Sequence, residues 1–412
     1  MNILIIVTEI NSANGICCAS VARKLIENGN KVFFVTNAEY KKFSKIEGAE
    51  YITVKPRLTY RLFAKAELCQ KVKKKFLFLT ARILNKIKLI LSVFTWPLIS
   101  PIYCRRLYSV AKHVCETKKI DCIIPVYTQI DTLIAAKKIK QENSMIKYIP
   151  YFLDSFSGGY GPKVFSKDWI VKRGRWWEDR LLPCADKIIM MQSCKEHYQK
   201  YANDKEYYKR IVFLDLPLFT THNGIKENNS MFANKINLLY IGTIPTHIRN
   251  PQYFLDVFSH IENTNIDLNI VGTCTDFELL RRAAAKDSRI KIFPPVNHDK
   301  ALSLMQQADL LVNFGNNNPN MTPCKIFEYM SLGKPIISVS PIPNEPSKIY
   351  LEKYPTVLLL EEYRHDIYSD VNRLNDFIGK SEAVREVDLQ KLNNIFYSNT
   401  PEAFVSEIIS EE

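Results

Sequence analysis

Glycine is scarce in this chain, with 13 residues in 412, and neither a fixed-period repeat nor a low-complexity tract appears, which excludes collagen-like and disordered classes. The ten cysteines, at 17, 18, 69, 104, 115, 122, 184, 194, 274 and 324, contain no C-x-x-C pair and no Cys/His cluster with zinc spacing. A structural zinc is therefore not expected, and reduced thiols in a cytoplasm account for the cysteines. No G-x-G-x-x-G follows the first apolar run, where Gly15 stands alone, which disfavours a dinucleotide redox cofactor; the phosphate loop G-x-x-x-x-G-K-[ST] is missing too. The longest uncharged run, 89–104, is 16 residues and holds Pro97 and Pro101, short of the roughly 20 apolar residues of a spanning helix. The opening MNILIIVTEI reads as a strand and not as a secretory signal. None of the seven histidines sits in a motif that fixes a nucleophile or a metal.

What is present is unevenly charged. The net charge is +13, and the segment 55–106 holds thirteen Lys and Arg against the single acid Glu67, so the rest is nearly neutral. Such charge suits nucleic acid, an anionic membrane or phosphorylated ligands. No nucleic-acid-binding module is recognisable. Leu79, Ile83, Ile87, Ile90 and Phe94 follow helical spacing with Arg82, Asn85, Lys86 and Lys88 around them, beside Trp96 and Tyr103. This predicts an amphipathic helix lying on an anionic membrane; the alternative is a stripe that packs on a sheet and leaves a solvated basic face.

At 46% hydrophobic and 24% charged over 412 residues, two or three domains are expected. Residues 2–7 read as a strand, followed by a polar loop at 8–15, a helix in which Val21, Leu25 and Ile26 share a face until Gly29, and a strand at 32–35. Strands followed by helices return at 122–126, 149–153 and 187–191. After a polar stretch at 215–235, strands at 236–241, 268–271, 290–293, 310–313 and 335–338 alternate with helices at 251–260, 276–286, 298–307 and 323–332. The alternation predicts an α/β protein with two Rossmann-like, doubly wound parallel sheets facing a central cleft. The expected domains are 1–217, with the basic insertion 55–106; 218–380; and a helical tail at 381–412, with Pro401 opening a helix, that packs back on the first.

The most informative stretch is 315–338, GNNNPNMTPCKIFEYMSLGKPIIS. Pro323 can begin a helix, where its missing N–H costs nothing. Lys325 and Glu328, three apart, share a face of that helix. A lysine near a helix N-terminus suits a phosphate, and a carboxylate one turn on can accept from two adjacent ribose hydroxyls. The plain alternative is a surface ion pair of little energetic consequence.

The run P-C-K-I-F-E-Y-M-x-x-G-K-P-I-I resembles the donor-site signature of GT-B glycosyltransferases of family 4, retaining nucleotide-sugar enzymes common in polysaccharide assembly. The resemblance implies that Lys325 contacts the donor diphosphate and Glu328 the ribose, with Pro323 at the helix end. Asn320 stands where many relatives carry a second acid, which leaves the amides of 316–320 to face the donor sugar. YIGTIPTHIRNP, 240–251, resembles the opening strand and turn of that family's donor domain, placing Gly242 and Thr243 beside the donor and Arg249 on its phosphates. Ile270-Val271-Gly272-Thr273 resembles the next strand and loop. In the first half, Gly15 matches a glycine loop near the donor phosphates, FLDSF sets Asp154 on the acceptor side, and EDRLLPCADKIIMMQS at 178–193 is similar to a helix-then-strand segment.

The implied function is transfer of a sugar, with retention, from a nucleotide-diphosphate sugar, UDP being the favoured base, to a glycan or lipid-linked acceptor at the inner face of the membrane. Arg249 and Lys325 would stabilise the departing diphosphate, which itself takes the acceptor proton. D-x-D is absent, so neither metal nor other cofactor is expected. One rival is a nucleotide-sugar 2-epimerase of the same architecture, which relies on carboxylates and histidines in motifs this chain lacks; another is a basic nucleic-acid binder.

Overall fold

The computed structural model describes residues 1–10, 12–38, 45–91, 95–159, 161–162, 164–219, 232, 235–381 and 387–410. Phe94, His222 and most of the polar stretch at 215–235 lie outside the described residues. The chain forms two compact units, Met1–Pro217 with Pro401–Glu412, and Leu218–Thr400.

In the first unit, β1 (Asn2–Ile6), β2 (Lys31–Asn37), β3 (Ala49–Val54), β4 (Cys122–Pro125) and β5 (Lys147–Tyr148) form a parallel sheet in the order β3-β2-β1-β4-β5. β6 (Tyr151–Phe152), β7 (Ile188–Met191) and β8 (Ile211–Leu214) make a second parallel set, linked to the first by a bridge from Val126 to Tyr151. Strands such as β1 and β4 are almost wholly buried, as the near-continuous apolar runs of a parallel sheet covered on both faces require. The expected strand at 149–153 is split, because Pro150 has no N–H to give to a ladder: its carbonyl accepts from Ile189 N at 3.0 Å while Ile149 N donates to Ile123 O at 3.0 Å. Helices Leu58–Glu67, Lys71–Leu91 and Pro101–Lys118 lie between β3 and β4. The terminal helix Pro401–Ile409 packs on helix Ala13–Glu27. Phe404 meets the Tyr151 ring edge-on at 4.5 Å, and Lys187 Nζ donates to the Glu407 carboxylate at 2.9 Å.

Trp96 and Tyr103 were expected at a membrane interface, but both are buried. The Trp96 carbonyl accepts from Arg173 Nε at 3.1 Å and Trp177 Nε1 at 3.3 Å, and the Tyr103 hydroxyl donates to Asn37 Oδ1 at 2.6 Å. The Tyr103 hydroxyl is thus satisfied inside the protein, and the Trp96 backbone is held by two side chains of helix Lys167–Leu181.

The second unit is a six-stranded parallel sheet of β9 (Ile236–Ile244), β10 (Ile266–Cys274), β11 (Ile290–Phe293), β12 (Leu310–Phe314), β13 (Ile336–Ser340) and β14 (Val357–Glu361), in the order β11-β10-β9-β12-β13-β14. Its core includes Leu238, Phe254, Phe258, Leu310 and Leu374, all wholly buried. The winding reverses between β9 and β12, which in such sheets marks where ligands bind at the carboxyl ends of the strands.

Candidate functional site

The residues singled out in the second half gather at that reversal. β9 and β10 pair in register with Gly242 opposite Gly272 and Thr243 opposite Thr273. Gly242 and Gly272 have φ of 149° and 146°, and a Cβ on Gly272 would stand 1.8 Å from the Gly242 carbonyl oxygen. Only glycine allows this approach. Thr243 Oγ1 accepts from Thr273 Oγ1 at 3.2 Å, and the Tyr240 hydroxyl donates to the Thr243 carbonyl at 3.1 Å.

Beyond β9, Arg249 Nε donates to Asn316 Oδ1 at 3.1 Å, which joins the turn after β9 to the loop after β12. Asn316 Nδ2 donates to Met321 O at 2.6 Å, and Asn317 Nδ2 to His247 O at 2.9 Å. Asn316 and Asn317 therefore brace the loop, so their amides are already engaged, whereas among the described residues the Asn320 side chain has no recorded partner. Lys325 Nζ lies 2.8 Å from Glu328 Oε2, and the glutamate is nearly buried. Burial pushes the Tyr240 hydroxyl up while Arg249 and Lys325 both pull it down, so the two cations converge on one side chain. The helix begins at Lys325 and ends at Ser331, not at 323 as expected. Pro323 precedes the Cys324 cap, and its carbonyl only loosely accepts from Ile326 N at 3.5 Å, so Pro323 is not the first helical residue.

Glu345 went unread in the sequence. It is 1% exposed, accepts from Asn316 N at 3.2 Å and Ser347 N at 3.0 Å, and presses so closely on Gly315 that a Cβ there would stand 2.7 Å from its Cγ. Burial pushes its carboxyl up to about 7, against the pull of these donors and of Arg249. The available signal was a lone acid between Pro343 and Pro346 just after a buried strand.

In the first unit, Gly15 lies in the opening turn of helix Ala13–Glu27, where a Cβ would stand 1.9 Å from the Ile10 carbonyl oxygen. Asn14 Nδ2 donates to Tyr127 O at 3.3 Å and the Thr8 and Thr128 hydroxyls meet at 2.8 Å, tying the loops after β1 and β4 together where that sheet also reverses. Asp154 is half-buried just past β6; after burial itself, its charge helps push the Tyr127 hydroxyl and the Cys194 thiol up. Close by is a network the sequence reading missed. Glu178 Oε1 accepts from Ser157 N at 3.1 Å and from the Tyr198 hydroxyl at 2.5 Å, and Ser157 Oγ meets His197 Nε2 at 2.7 Å. Burial, then Arg175, Lys167 and Lys200, lower His197 to about 4. The buried spacing Ile170, Gly174, Glu178 could have flagged the acid. Among the described residues no group of three or more His, Cys, Asp or Glu is arranged to hold a metal ion, and no helix is long and apolar enough to cross a membrane.

By fold the chain is similar to sucrose-phosphate synthase from Thermosynechococcus elongatus, with TM-score 0.66 and 13% identity over 99% of this chain and 97% of that one. It is similar also to WaaG, a glycosyltransferase involved in lipopolysaccharide biosynthesis (TM-score 0.57, 12% identity, 99% and 100% covered). The HepE protein of Anabaena, solved with UDP-glucose, gives TM-score 0.56 and 12% identity with 98% and 100% covered. Residues 235–353, which hold the Arg249–Lys325–Glu328 site, match the family model for glycosyl transferases group 1. The chain has the GT-B fold of these glycosyltransferases. No curated protein matches this chain by sequence.

Proposed function

We propose that the chain is a glycosyltransferase that takes a sugar from a nucleotide-diphosphate donor, with UDP favoured, and passes it with retention to a glycan or lipid-linked acceptor of cell-surface polysaccharide assembly. The supporting observation is the convergence of Arg249, Lys325 and the nearly buried Glu328 beside Gly242 and Gly272, at the carboxyl ends of β9 and β12. Two cations oppose a diphosphate, the glutamate accepts from ribose hydroxyls, and the two glycines leave the backbone open to close approach. In the transfer the anomeric C–O bond to the diphosphate breaks as the acceptor oxygen bonds on the same face, and the acceptor proton passes to the diphosphate. Arg249 and Lys325 stabilise the charge that develops on it. The HepE structure, solved with UDP-glucose, supports uracil as the base.

The working place of the enzyme in this proposal is the cytoplasmic face of an anionic membrane. The apolar stripe of helix Lys71–Leu91 does not pack on the sheet: Val72, Phe76, Leu79, Ile83, Ile87 and Ile90 are exposed, from 47% at Ile87 to 84% at Val72. Exposed Lys73, Lys74, Lys75, Arg82 and Lys86 accompany it. An anionic bilayer answers both the apolar face and the charge. Incubation with UDP- and GDP-sugars tests the reaction: transfer or slow donor hydrolysis is expected, whereas donor isomerisation or no turnover with any nucleotide sugar would overturn it.

A further inference from the structure

Helix Lys71–Leu91 has an inner face as well. Leu77, Ala81, Leu84 and Lys88 fall at helical spacing and are buried or half-buried, opposite the exposed stripe. Lys88, at the end of this face, comes within electrostatic reach of Arg57 and Asp131; burial and the Arg57 charge hold its ammonium below the usual lysine range. Arg57 follows β3, and Asp131 lies in the first turn of helix Ile130–Glu142 after β4, so both stand past the carboxyl ends of strands in the first sheet.

The cluster is unbalanced. Arg57 Nη2 lies 2.5 Å from Asp131 Oδ2, and the Arg57 guanidinium sits over the Tyr103 ring at 5.1 Å. Asp131 is fully buried, yet its Oδ1 has no hydrogen-bond partner, and neither has Arg57 Nε. Arg57, in contact, and Lys88, within electrostatic reach, therefore bring two positive charges to one acid, and burial holds that acid above its ordinary range despite Arg57. Buried polar atoms left unpaired cost stability, and uncompensated positive charge out of water calls for an anion.

We propose that Lys88 and Arg57, with Asp131, bind the phosphate group of a lipid-linked acceptor. The cations take phosphate oxygens, and Asp131 Oδ1 accepts from a protonated phosphate oxygen or a neighbouring hydroxyl. This rests on the reading of the chain as a glycosyltransferase working at a membrane: one helix then meets the bilayer with its outer face and the acceptor phosphate with its inner one.

The same chemistry could come from an acceptor phosphate, a lipid headgroup or free phosphate, so the full chain is titrated with monomeric geranyl phosphate, inorganic phosphate and phosphatidylglycerol vesicles. Geranyl phosphate should bind the wild type, and Lys88→Gln should weaken it about ten- to a hundredfold, the worth of one charge-assisted contact, while Lys88→Arg retains most of it. Lys88 has no carboxylate to strand, unlike Arg57, whose removal would leave Asp131 charged and alone. Lys88→Gln should bind vesicles as wild type does, and the triple variant Lys73→Gln, Lys74→Gln, Lys75→Gln should lose vesicles but keep geranyl phosphate. Equal binding of geranyl phosphate by wild type and Lys88→Gln, or none by wild type, overturns the site. Loss of vesicle binding by Lys88→Gln as large as that of the triple variant also overturns it, in favour of a headgroup site, and inorganic phosphate binding as tightly as geranyl phosphate would remove the acceptor assignment. UDP binding measured alongside separates the two readings, because its absence with geranyl phosphate still bound faults the donor site alone.

Discussion

Lys325 Nζ stands 2.8 Å from Glu328 Oε2, with the glutamate side chain 5% exposed and the lysine 26%. The carboxylate out of water thus holds its cation at the edge of the site, where a diphosphate can reach it. Glu328→Gln and Lys325→Gln should each lower kcat/KM by about one to two decades, the worth of a charge-assisted contact of roughly 1.5–3 kcal/mol. Because the pair acts together, the double variant should lose less than the sum of the two. A kinetic double-mutant cycle measures this, and urea melts should show Lys325→Gln as the less stable single variant, since it leaves a buried carboxylate unpaired.

Gly272 permits the close approach of β10 to the end of β9, and its φ of 146° suits no other residue. Gly272→Ala should destabilise the protein by about 3 kcal/mol or more and shift the urea midpoint accordingly. Gly242→Ala meets only ordinary contacts, with the Tyr240 hydroxyl 3.6 Å away, so it should cost less, through its φ alone.

Much of this architecture was legible because parallel strands buried on both faces read as apolar runs. β11 and helix His298–Gln307 fall on the expected residues. β3, with its Ala49–Val54 run half exposed, and β14, bounded by charged turns, were missed because their burial is one-sided and their strand signal weak. The donor motif exposed Lys325 and Glu328 by their spacing. No spacing could reveal the contact of Glu345 with Asn316, or that of Arg57 with Asp131, because those partners lie 29 and 74 residues apart in sequence and meet only in the fold.

Glu345 gives the second unit a pH signature. Its folded value, about 7, lies above the ordinary 4.5, so its contribution to stability is complete below about pH 4.5 and is lost as pH rises through 7. Relative to Glu345→Gln, the wild type should therefore lose up to about 3 kcal/mol between pH 5 and pH 8. Urea unfolding of both proteins across that range checks it; parallel curves would mean that the carboxyl titrates normally.

The exposed stripe and lysines of helix Lys71–Leu91 should bind phosphatidylglycerol vesicles and not neutral ones. Replacing Phe76 and Ile83 by Ser should weaken that binding, as should raising the salt, which shortens the screening length. Co-sedimentation provides the readout, and equal binding to neutral and anionic vesicles would contradict the electrostatic part.

The central claim is that Arg249, Lys325 and Glu328 form a nucleotide-diphosphate site that works without a divalent metal. Calorimetric titration of UDP in excess chelator tests it most directly, with Lys325→Gln and Glu328→Gln as controls. The account predicts that the wild type binds UDP in chelator and binds uridine more weakly, and that each variant loses about ten- to a hundredfold in UDP affinity while melting as a folded protein. Binding that requires added metal, or UDP affinity unchanged in both variants, would contradict it.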